Sequence, residues 1–301
     1  MRPKILLAAG GTGGHILPAL KIQQELSDFC DVKIAGVGLK EGIAIPGGPL
    51  SPRSLPQIAW GILASEKLLR NFSPDLVIGF GSYHSFPLVA AARRRKIPLW
   101  LFEANRVMGR VNGLFAKKAK VFSLFPSSFA TAISMPQPPL IKSCQSSPTI
   151  LVIGGSQGAK ALNERVPPIL DSMEGIQVVH LTGRGKRATY QKTPAKVIEY
   201  ESQMERVYGA ADFVIARGGA STVAEILHYK IPSLLIPLPG AIRDHQAENA
   251  IYLQDLGVAT MVREEDLNSQ IVKSAFANRK KNSFPQQDFP NFINLIRKEV
   301  L

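Results

Sequence analysis

Short apolar runs that end in glycine and pass into helical stretches recur along the chain and set its architecture. The first is Ile5-Leu6-Leu7-Ala8-Ala9, closed by Gly10-Gly11-Thr12-Gly13-Gly14 and followed by HILPALKIQQEL. The second is Ile150-Leu-Val-Ile153, closed by Gly154-Gly155-Ser156-Gln-Gly158 and followed by AKALNERVPPIL. An apolar run without alternation reads as a strand buried on both faces. The stretch after it carries the period of about 3.6 residues of an amphipathic helix. A further matched pair follows in the same order. Pro74-Asp75-Leu-Val-Ile-Gly-Phe-Gly-Ser82 runs on to Lys96-Ile97-Pro98, and Ala211-Asp212-Phe-Val-Ile-Ala-Arg-Gly-Gly-Ala-Ser221 runs on to Lys230-Ile231-Pro232.

Two matched pairs in one order predict two copies of an α/β unit, each with a parallel sheet wound right-handedly. The expected domains are 1–140 and 147–287, with a C-terminal helix at about 288–301 packing back on the first. The segment Ser134–Pro148, rich in proline and serine, reads as the linker. Ligands of such folds lie at the C-terminal ends of the strands, so the glycine loops are expected to point into a cleft between the domains.

A strand-to-helix turn built of glycine lets a ligand approach the main chain and aims N–H groups and the helix dipole at negative charge. Thr12, Ser156, Ser221 and Thr222 add hydroxyl groups. A phosphate or diphosphate suits such loops; tight turns alone would explain the same glycines. Neither the complete dinucleotide spacing Gly-x-Gly-x-x-Gly nor a Walker sequence occurs. His15 falls at the opening turn of its helix, where neutral imidazole is favoured and can take a proton from an attacking hydroxyl. Capping or packing would account for it equally. In Arg217–Glu225, the Gly-Gly-Ala-Ser-Thr run starts a helix and Glu225 lies a turn further in. A carboxylate there can accept from two vicinal hydroxyls, such as those of a ribose, or can simply be a solvated helical acid. Arg217 is placed at a strand end to neutralise a diphosphate, and His245 and Gln246 are placed to touch a sugar.

Composition narrows the class. A chain of 301 residues with 45% hydrophobic and 20% charged residues can bury two cores. Cys30 and Cys144 form neither a disulfide framework nor a metal motif. Arg2 and Lys4 before an apolar run resemble the start of a signal peptide, but the glycines cut the run short. No stretch is long enough to span a bilayer. A net charge of +13 favours polyanions: nucleic acid, an anionic membrane face or phosphorylated substrates. No Asp-x-Asp pair or metal-ligand spacing occurs, so helix ends and arginine are expected to stabilise a departing diphosphate without a metal or other cofactor.

Taken together, GGTGGH at 10–15, GGSQGAKALN at 154–163, RGGASTVAE at 217–225 and HQAENA at 245–250 resemble the MurG family, over nearly the whole chain. The resemblance implies a GT-B architecture of two facing Rossmann-like domains. It also implies an inverting transfer of N-acetylglucosamine from UDP-N-acetylglucosamine to the muramyl C4 hydroxyl of lipid I, giving lipid II. The C-terminal domain would hold the donor, with Glu225 on the ribose, Ser221 and Thr222 on the diphosphate, and His245 and Gln246 on the sugar. Ala220, Val223 and Ala224 belong to the same helix start, Ser156 and Arg217 flank it, and Asn163 supports it. Thr12, Gly13 and Gly14 are implied to bind the acceptor diphosphate and to reach the donor. His15 takes the place of the general base, and Tyr83, Glu103 and Asn105 line the acceptor side, Asn105 also serving the donor.

The chain departs from the family where Val37–Gly42 replaces a longer excursion, where Ala104 stands for a glutamine, and where a junction Gly-Asn-Pro-Val-Arg is missing, leaving only Lys142. A lipid-linked acceptor further implies peripheral attachment to the cytoplasmic face of the inner membrane, with cell-wall synthesis or division proteins as partners. Ile58–Arg70 with Trp60, the cluster Arg93–Lys96, and Lys117, Lys118 and Lys120 are the candidate contacts. The first would serve equally as a helix packed on the sheet, the second as a basic helix end. Rival readings are another GT-B enzyme acting on a different lipid acceptor, a UDP-sugar epimerase, or a nucleic-acid binder. With 7% aromatic residues and no interleaving of basic and aromatic positions, nucleic acid is not expected as a partner.

Overall fold

The apolar runs become the strands of two all-parallel sheets, seven strands in one and six in the other. The computed structural model describes residues 2–11, 13–39, 41–142, 146–155, 157–279, 283–286 and 288–300. The chain divides into two units, Met1–Pro136 with Asp288–Leu301, and Gln137–Gln287. Residues 143–145 of the expected linker, Cys144 among them, lie outside the described residues.

The first unit runs β1 (Lys4–Ala8), α1 (Gly13–Leu26), β2 (Asp31–Gly36), β3 (Ile43–Ala44), α2 (Leu55–Phe72), β4 (Leu76–Gly79), α3 (Phe86–Arg94), β5 (Leu99–Glu103), α4 (Arg110–Phe115), β6 (Lys120–Ser123) and β7 (Thr131–Ala132). Its strand order is β3-β2-β1-β4-β5-β6-β7. Leu7 of β1 lies between Ile34 and Ile78, so the unalternated run is buried from both faces and both edges.

The second unit runs β8 (Thr149–Ile153), α5 (Lys160–Leu170), β9 (Gln177–Leu181), β10 (Ala195–Ile198), α6 (Met204–Gly209), β11 (Phe213–Ala216), α7 (Ala220–Tyr229), β12 (Ser233–Leu235), α8 (His245–Asp255), β13 (Ala259–Met261) and α9 (Ser269–Asn278). Its order, β10-β9-β8-β11-β12-β13, repeats that of the first. The last helix, α10 (Phe292–Val300), belongs to the first unit. Buried Phe292 anchors it there, its ring 5.1 Å from Phe122 and 5.7 Å from Phe102.

The repeated motifs do repeated work. Asp75 accepts from the N–H of Lys4 and Asp212 from that of Thr149, each at 2.8 Å, so each aspartate ties the strand it precedes to the unit's first strand. Lys96 and Lys230 both take left-handed conformations, at φ 59° and 57°, and so turn the chain out of α3 and α7. The prolines that follow carry no N–H; Pro98 and Pro232 offer their carbonyls to Val77 and Val214 at 2.9 and 3.0 Å. In both sheets the order reverses between the first and fourth strands, at β1/β4 and β8/β11. The loops leaving those strand pairs therefore lie side by side at the C-terminal sheet edge, the usual ligand position of open α/β folds.

Candidate active site

In the first unit the chain leaves β1 with Gly11 N–H on the Val37 carbonyl at 3.0 Å and enters α1 at Gly13 and Gly14. These residues place no side chain over the helix start. His15, in the same first turn, reaches across the reversal point: its Nδ1 lies 2.7 Å from the Phe80 carbonyl beyond β4. A carbonyl can only accept, so Nδ1 carries the hydrogen, and in the neutral ring the lone pair is on Nε2. Tyr83 sits half-buried in the loop after β4. Its neighbour His84, which the motifs did not single out, packs against Gly10 and Gly11 and holds the Gly47 carbonyl at 3.0 Å. Thr12 lies outside the described residues.

Glu103 is corrected. Glu103 is buried, and its carboxylate accepts from Asn105 N–H at 3.2 Å, Gly109 N–H at 2.8 Å and Asn112 Nδ2 at 3.0 Å. These bonds close the loop between β5 and α4 on itself. Glu103 is thus turned into its own loop, and half-buried Asn105 lies beside it.

In the second unit the expected residues gather around the starts of α7 and α8. The N-cap of α7, Gly219, provides no side-chain cap, so the first-turn N–H groups of Ala220, Ser221 and Thr222 face outward from the helix end. Ser221, Thr222 and Ala224 are half-buried. Val223 is corrected: its side chain is fully buried in the core and its N–H bonds Gly219 at 2.9 Å, which leaves it nothing to offer a ligand. Glu225 sits a turn in and accepts the phenol O–H of Tyr208 on Oε2 at 2.8 Å. Burial, and then the Glu225 carboxylate, hold that phenol well above its usual range, so it stays a donor and orients the carboxylate.

Arg217 is corrected as well. Its guanidinium is buried, donating to the Ile236 and Pro237 carbonyls at 3.2 and 3.1 Å and to Glu264. It clamps β11 to the end of β12 from within instead of meeting a diphosphate directly. At α8, His245 Nδ1 donates to the Ile242 carbonyl at 2.8 Å, and Gln246 Oε1 accepts from Leu238 N–H at 3.0 Å. The Gln246 amide nitrogen is therefore the part suited to a sugar oxygen. The two loops touch through Gly218, where a Cβ would stand 2.2 Å from the Gln246 carbonyl oxygen. Just before α8, hydrogen bonding and charge from Arg263 hold the Asp244 carboxyl below its usual range.

Asn163, grouped with the donor residues as a support, is buried and bonds only within its unit. Its Nδ2 donates to the Thr182 carbonyl at 3.0 Å, so its Oδ1 accepts from His180 Nε2, also at 3.0 Å. His180 Nδ1 then accepts from Tyr190, 2.9 Å away. Burial lowers the His180 pKa to about 4 and, with Asp171, raises that of Tyr190. The chain braces the segment after β9 against the glycine loop after β8, where a Cβ on Gly158 would stand 2.0 Å from the Thr182 oxygen. Ser156, in that glycine loop, lies outside the described residues. Sequence reasoning missed His180, Tyr190, Tyr208 and Glu264, because each finds its partner across separate elements with no spacing signal. Among the described residues no group of three or more His, Cys, Asp or Glu could hold a metal.

Residues 5–123 match the glycosyltransferase family 28 N-terminal domain, and residues 149–296 the glycosyltransferase family 28 C-terminal domain. The chain belongs to glycosyltransferase family 28. Its fold is the GT-B class inferred from the motifs, and it is a glycosyltransferase. Among curated family members, the UDP-N-acetylglucosamine--N-acetylmuramyl-(pentapeptide) pyrophosphoryl-undecaprenol N-acetylglucosamine transferase of Chlamydia pneumoniae is 36% identical, covering 92% of this chain and 91% of its own. The protein of that name from Coxiella burnetii (strain Dugway 5J108-111) is 34% identical, covering 88% and 86%. The crystal structure of Acinetobacter baumannii MurG superposes with a TM-score of 0.77 at 26% identity, covering 100% of this chain and 99% of that one. The glycosyltransferase SnogD from Streptomyces nogalater, at 15% identity and a TM-score of 0.70 over 99% and 98%, shares the fold.

Proposed function

We propose that this chain transfers N-acetylglucosamine from UDP-N-acetylglucosamine to the muramyl C4 hydroxyl of lipid I, with inversion, yielding lipid II and UDP. The relatives named for this transferase supply the substrates. The observation that carries the mechanism is His15, whose Nδ1–H is held on the Phe80 carbonyl. That bond fixes the tautomer with its lone pair on Nε2, the form a general base requires. The hydroxyl oxygen attacks the anomeric carbon while its proton passes to Nε2. The bond from that carbon to the diphosphate breaks, and its electron pair leaves with UDP.

In this reading the first unit takes the acceptor through the glycine turn at Gly13 and Gly14, and the second takes the donor. The outward N–H groups of α7, with Ser221 and Thr222, receive the growing negative charge on the diphosphate. Glu225, oriented by Tyr208, takes the ribose hydroxyls, and His245 and the Gln246 amide take the sugar. Helix ends do this without a metal.

The test is transfer of labelled N-acetylglucosamine to a lipid I analogue, comparing wild type with His15→Ala. A loss of about 10²-fold or more with donor affinity retained is expected. Unchanged turnover in the variant would remove His15 from the chemistry. Absence of transfer by wild type, despite tight donor binding, would point to another acceptor.

Peripheral attachment to the cytoplasmic face of the inner membrane is part of the same reading. One face of α2 packs inward through Ile58, Gly61, Ser65, Leu69 and Phe72. The opposite face leaves Leu55, Trp60 and Leu63 between 61% and 64% exposed, followed along the helix by exposed Lys67 and Arg70. An apolar stripe ending in cations suits an anionic lipid surface. In the cluster Arg93–Lys96, Arg94 and Arg95 pair with buried Glu66, at 2.8 and 3.2 Å, and so also link α3 to α2. Vesicles containing anionic lipid should retain the protein at low salt, and Trp60→Ser with Leu63→Ser should release it. Equal binding of both forms would move the contact elsewhere. A role beside proteins of cell-wall synthesis and division follows from the product and rests on the same transfer assay.

A further inference from the structure

The turn before α8, the end of β11 and helix α5 are all bonded to one short segment after β13. Arg263 makes a two-pronged ion pair with Asp244, Nη1 standing 3.2 Å from Oδ1 and Nη2 2.8 Å from Oδ2. Its neighbour Glu264 holds the Arg217 guanidinium at the end of β11. The main-chain carbonyls of Glu264 and Leu267 accept from Arg165 of α5, the helix that follows the glycine loop after β8.

The Asp244 connection matters because of the backbone it meets. Arg243 (φ 54°, ψ 26°) and Asp244 (φ 49°, ψ 31°) are consecutive residues in the left-handed region, and neither is glycine. Glycine adopts this region freely and asparagine and aspartate visit it, but an arginine resists it, and two residues with side chains in succession there need outside support. The turn leads directly into His245 and Gln246. Both are further fixed by short-range bonds to Ile242 and Leu238. Where those two side chains stand thus depends on the turn, and the turn depends on a partner from beyond β13.

We propose that Arg263 is a positioning residue that, through Asp244, sets His245 and Gln246 for the sugar of the donor, while Glu264, through Arg217, sets the first turn of α7 for its diphosphate. The proposal rests on the reading that α7 and α8 hold the donor. The two halves of the donor are then governed by adjacent residues of one segment, and each half can be perturbed alone. Arg263 bonds the turn before α8 directly, on the sugar half, whereas Glu264 bonds Arg217 before α7, on the diphosphate half that both ligands share.

The experiment is calorimetric titration of the full chain with UDP and, separately, with UDP-N-acetylglucosamine. Arg263→Gln should weaken UDP-N-acetylglucosamine about tenfold, the scale of a released left-handed turn, and leave UDP unchanged. Asp244→Asn should reproduce it, and Glu264→Gln should weaken both ligands together. The pair Arg243→Gly with Asp244→Gly lacks the ion pair but accepts both conformations, so it should bind UDP-N-acetylglucosamine more tightly than Arg263→Gln does. A simple loss of stability would not produce that order. Equal weakening of both ligands in Arg263→Gln, no weakening of either, or a glycine pair no better than Arg263→Gln would overturn the proposal. Failure of the underlying reading shows differently: Glu225→Gln would then bind UDP as wild type does.

Discussion

Acidification should destabilise the second unit through His180. The ring is fully buried, and its pKa of about 4 in the fold lies below the ordinary 6.5. The unfolded chain therefore takes up the proton first. The stability present above pH 6.5 is lost as pH falls from there towards 4. Across that whole window the loss is about 3 kcal/mol, and by pH 5 it reaches about 2 kcal/mol, from 1.36 kcal/mol per unit of pKa difference. The direction of the hydrogen bonds sharpens the expectation. Burial keeps the ring neutral, with Nε2 donating to Asn163 Oδ1 and Nδ1 accepting from the Tyr190 hydroxyl, so a second proton, on Nδ1, would force that hydroxyl to turn and accept instead. Hydrogen exchange of the β8 and β9 amides, corrected for intrinsic rates, reads the opening free energy of this unit in the intact chain. Wild type should lose about 2 kcal/mol more than His180→Gln between pH 7.5 and pH 5, although the variant starts less stable by about 1–3 kcal/mol. Parallel losses in the two proteins would refute the buried neutral histidine. Asp171 does not confuse the measurement. Burial raises its pKa, but N–H groups of Gln191, Thr193 and Lys192 prevail and bring it to about 2, so its contribution is lost only as pH falls from 3.8 towards 2.

Glu225→Gln should raise the dissociation constant for UDP about 10–100-fold, the worth of hydrogen bonds to a charged group, measured by calorimetry; an unchanged constant would remove it from the ribose. Gly218→Ala should force the starts of α7 and α8 apart, because its Cβ would meet the Gln246 carbonyl oxygen at 2.2 Å. A stability loss of about 1–3 kcal/mol by urea denaturation, with weaker donor binding, is expected, and a neutral substitution would contradict the close approach. Transfer by protein treated with a chelator and assayed in its presence should equal that of untreated protein; restoration of a lost rate by added divalent cation would overturn the metal-free reading.

The sequence determined the strands, the duplication and the position of the helix starts, because these are local. Four or five consecutive apolar residues can be satisfied only by burial on both faces, and glycines after them permit only a tight turn into the next helix. Even the recurrence of Asp75 with Asp212, and of Lys96-Ile97-Pro98 with Lys230-Ile231-Pro232, encodes the same pair of devices twice: a strand tie and a left-handed helix exit. In the proposed reading, the parts of the candidate site that the sequence marks are those where a ligand would meet main chain, at Gly13, Gly14 and the start of α7, and side chains such as His15 and Glu225 that sit within a turn of it.

What a charged or polar side chain does once it leaves that turn was decided only by tertiary structure. Arg217 and Glu103 carry the right chemistry for a ligand, yet each is buried and bonded to groups within its own unit: Arg217 to Ile236, Pro237 and Glu264, Glu103 to the loop that follows it. Asn163 belongs to a motif that reads as donor-binding, and becomes one link in a chain running from Tyr190 through His180 to Thr182. A buried polar group must find its partner wherever the fold presents one, at whatever distance along the chain. Periodicity carries no information about that distance, and so the residues that touch a ligand and those that hold them in place look alike until the strands are assembled.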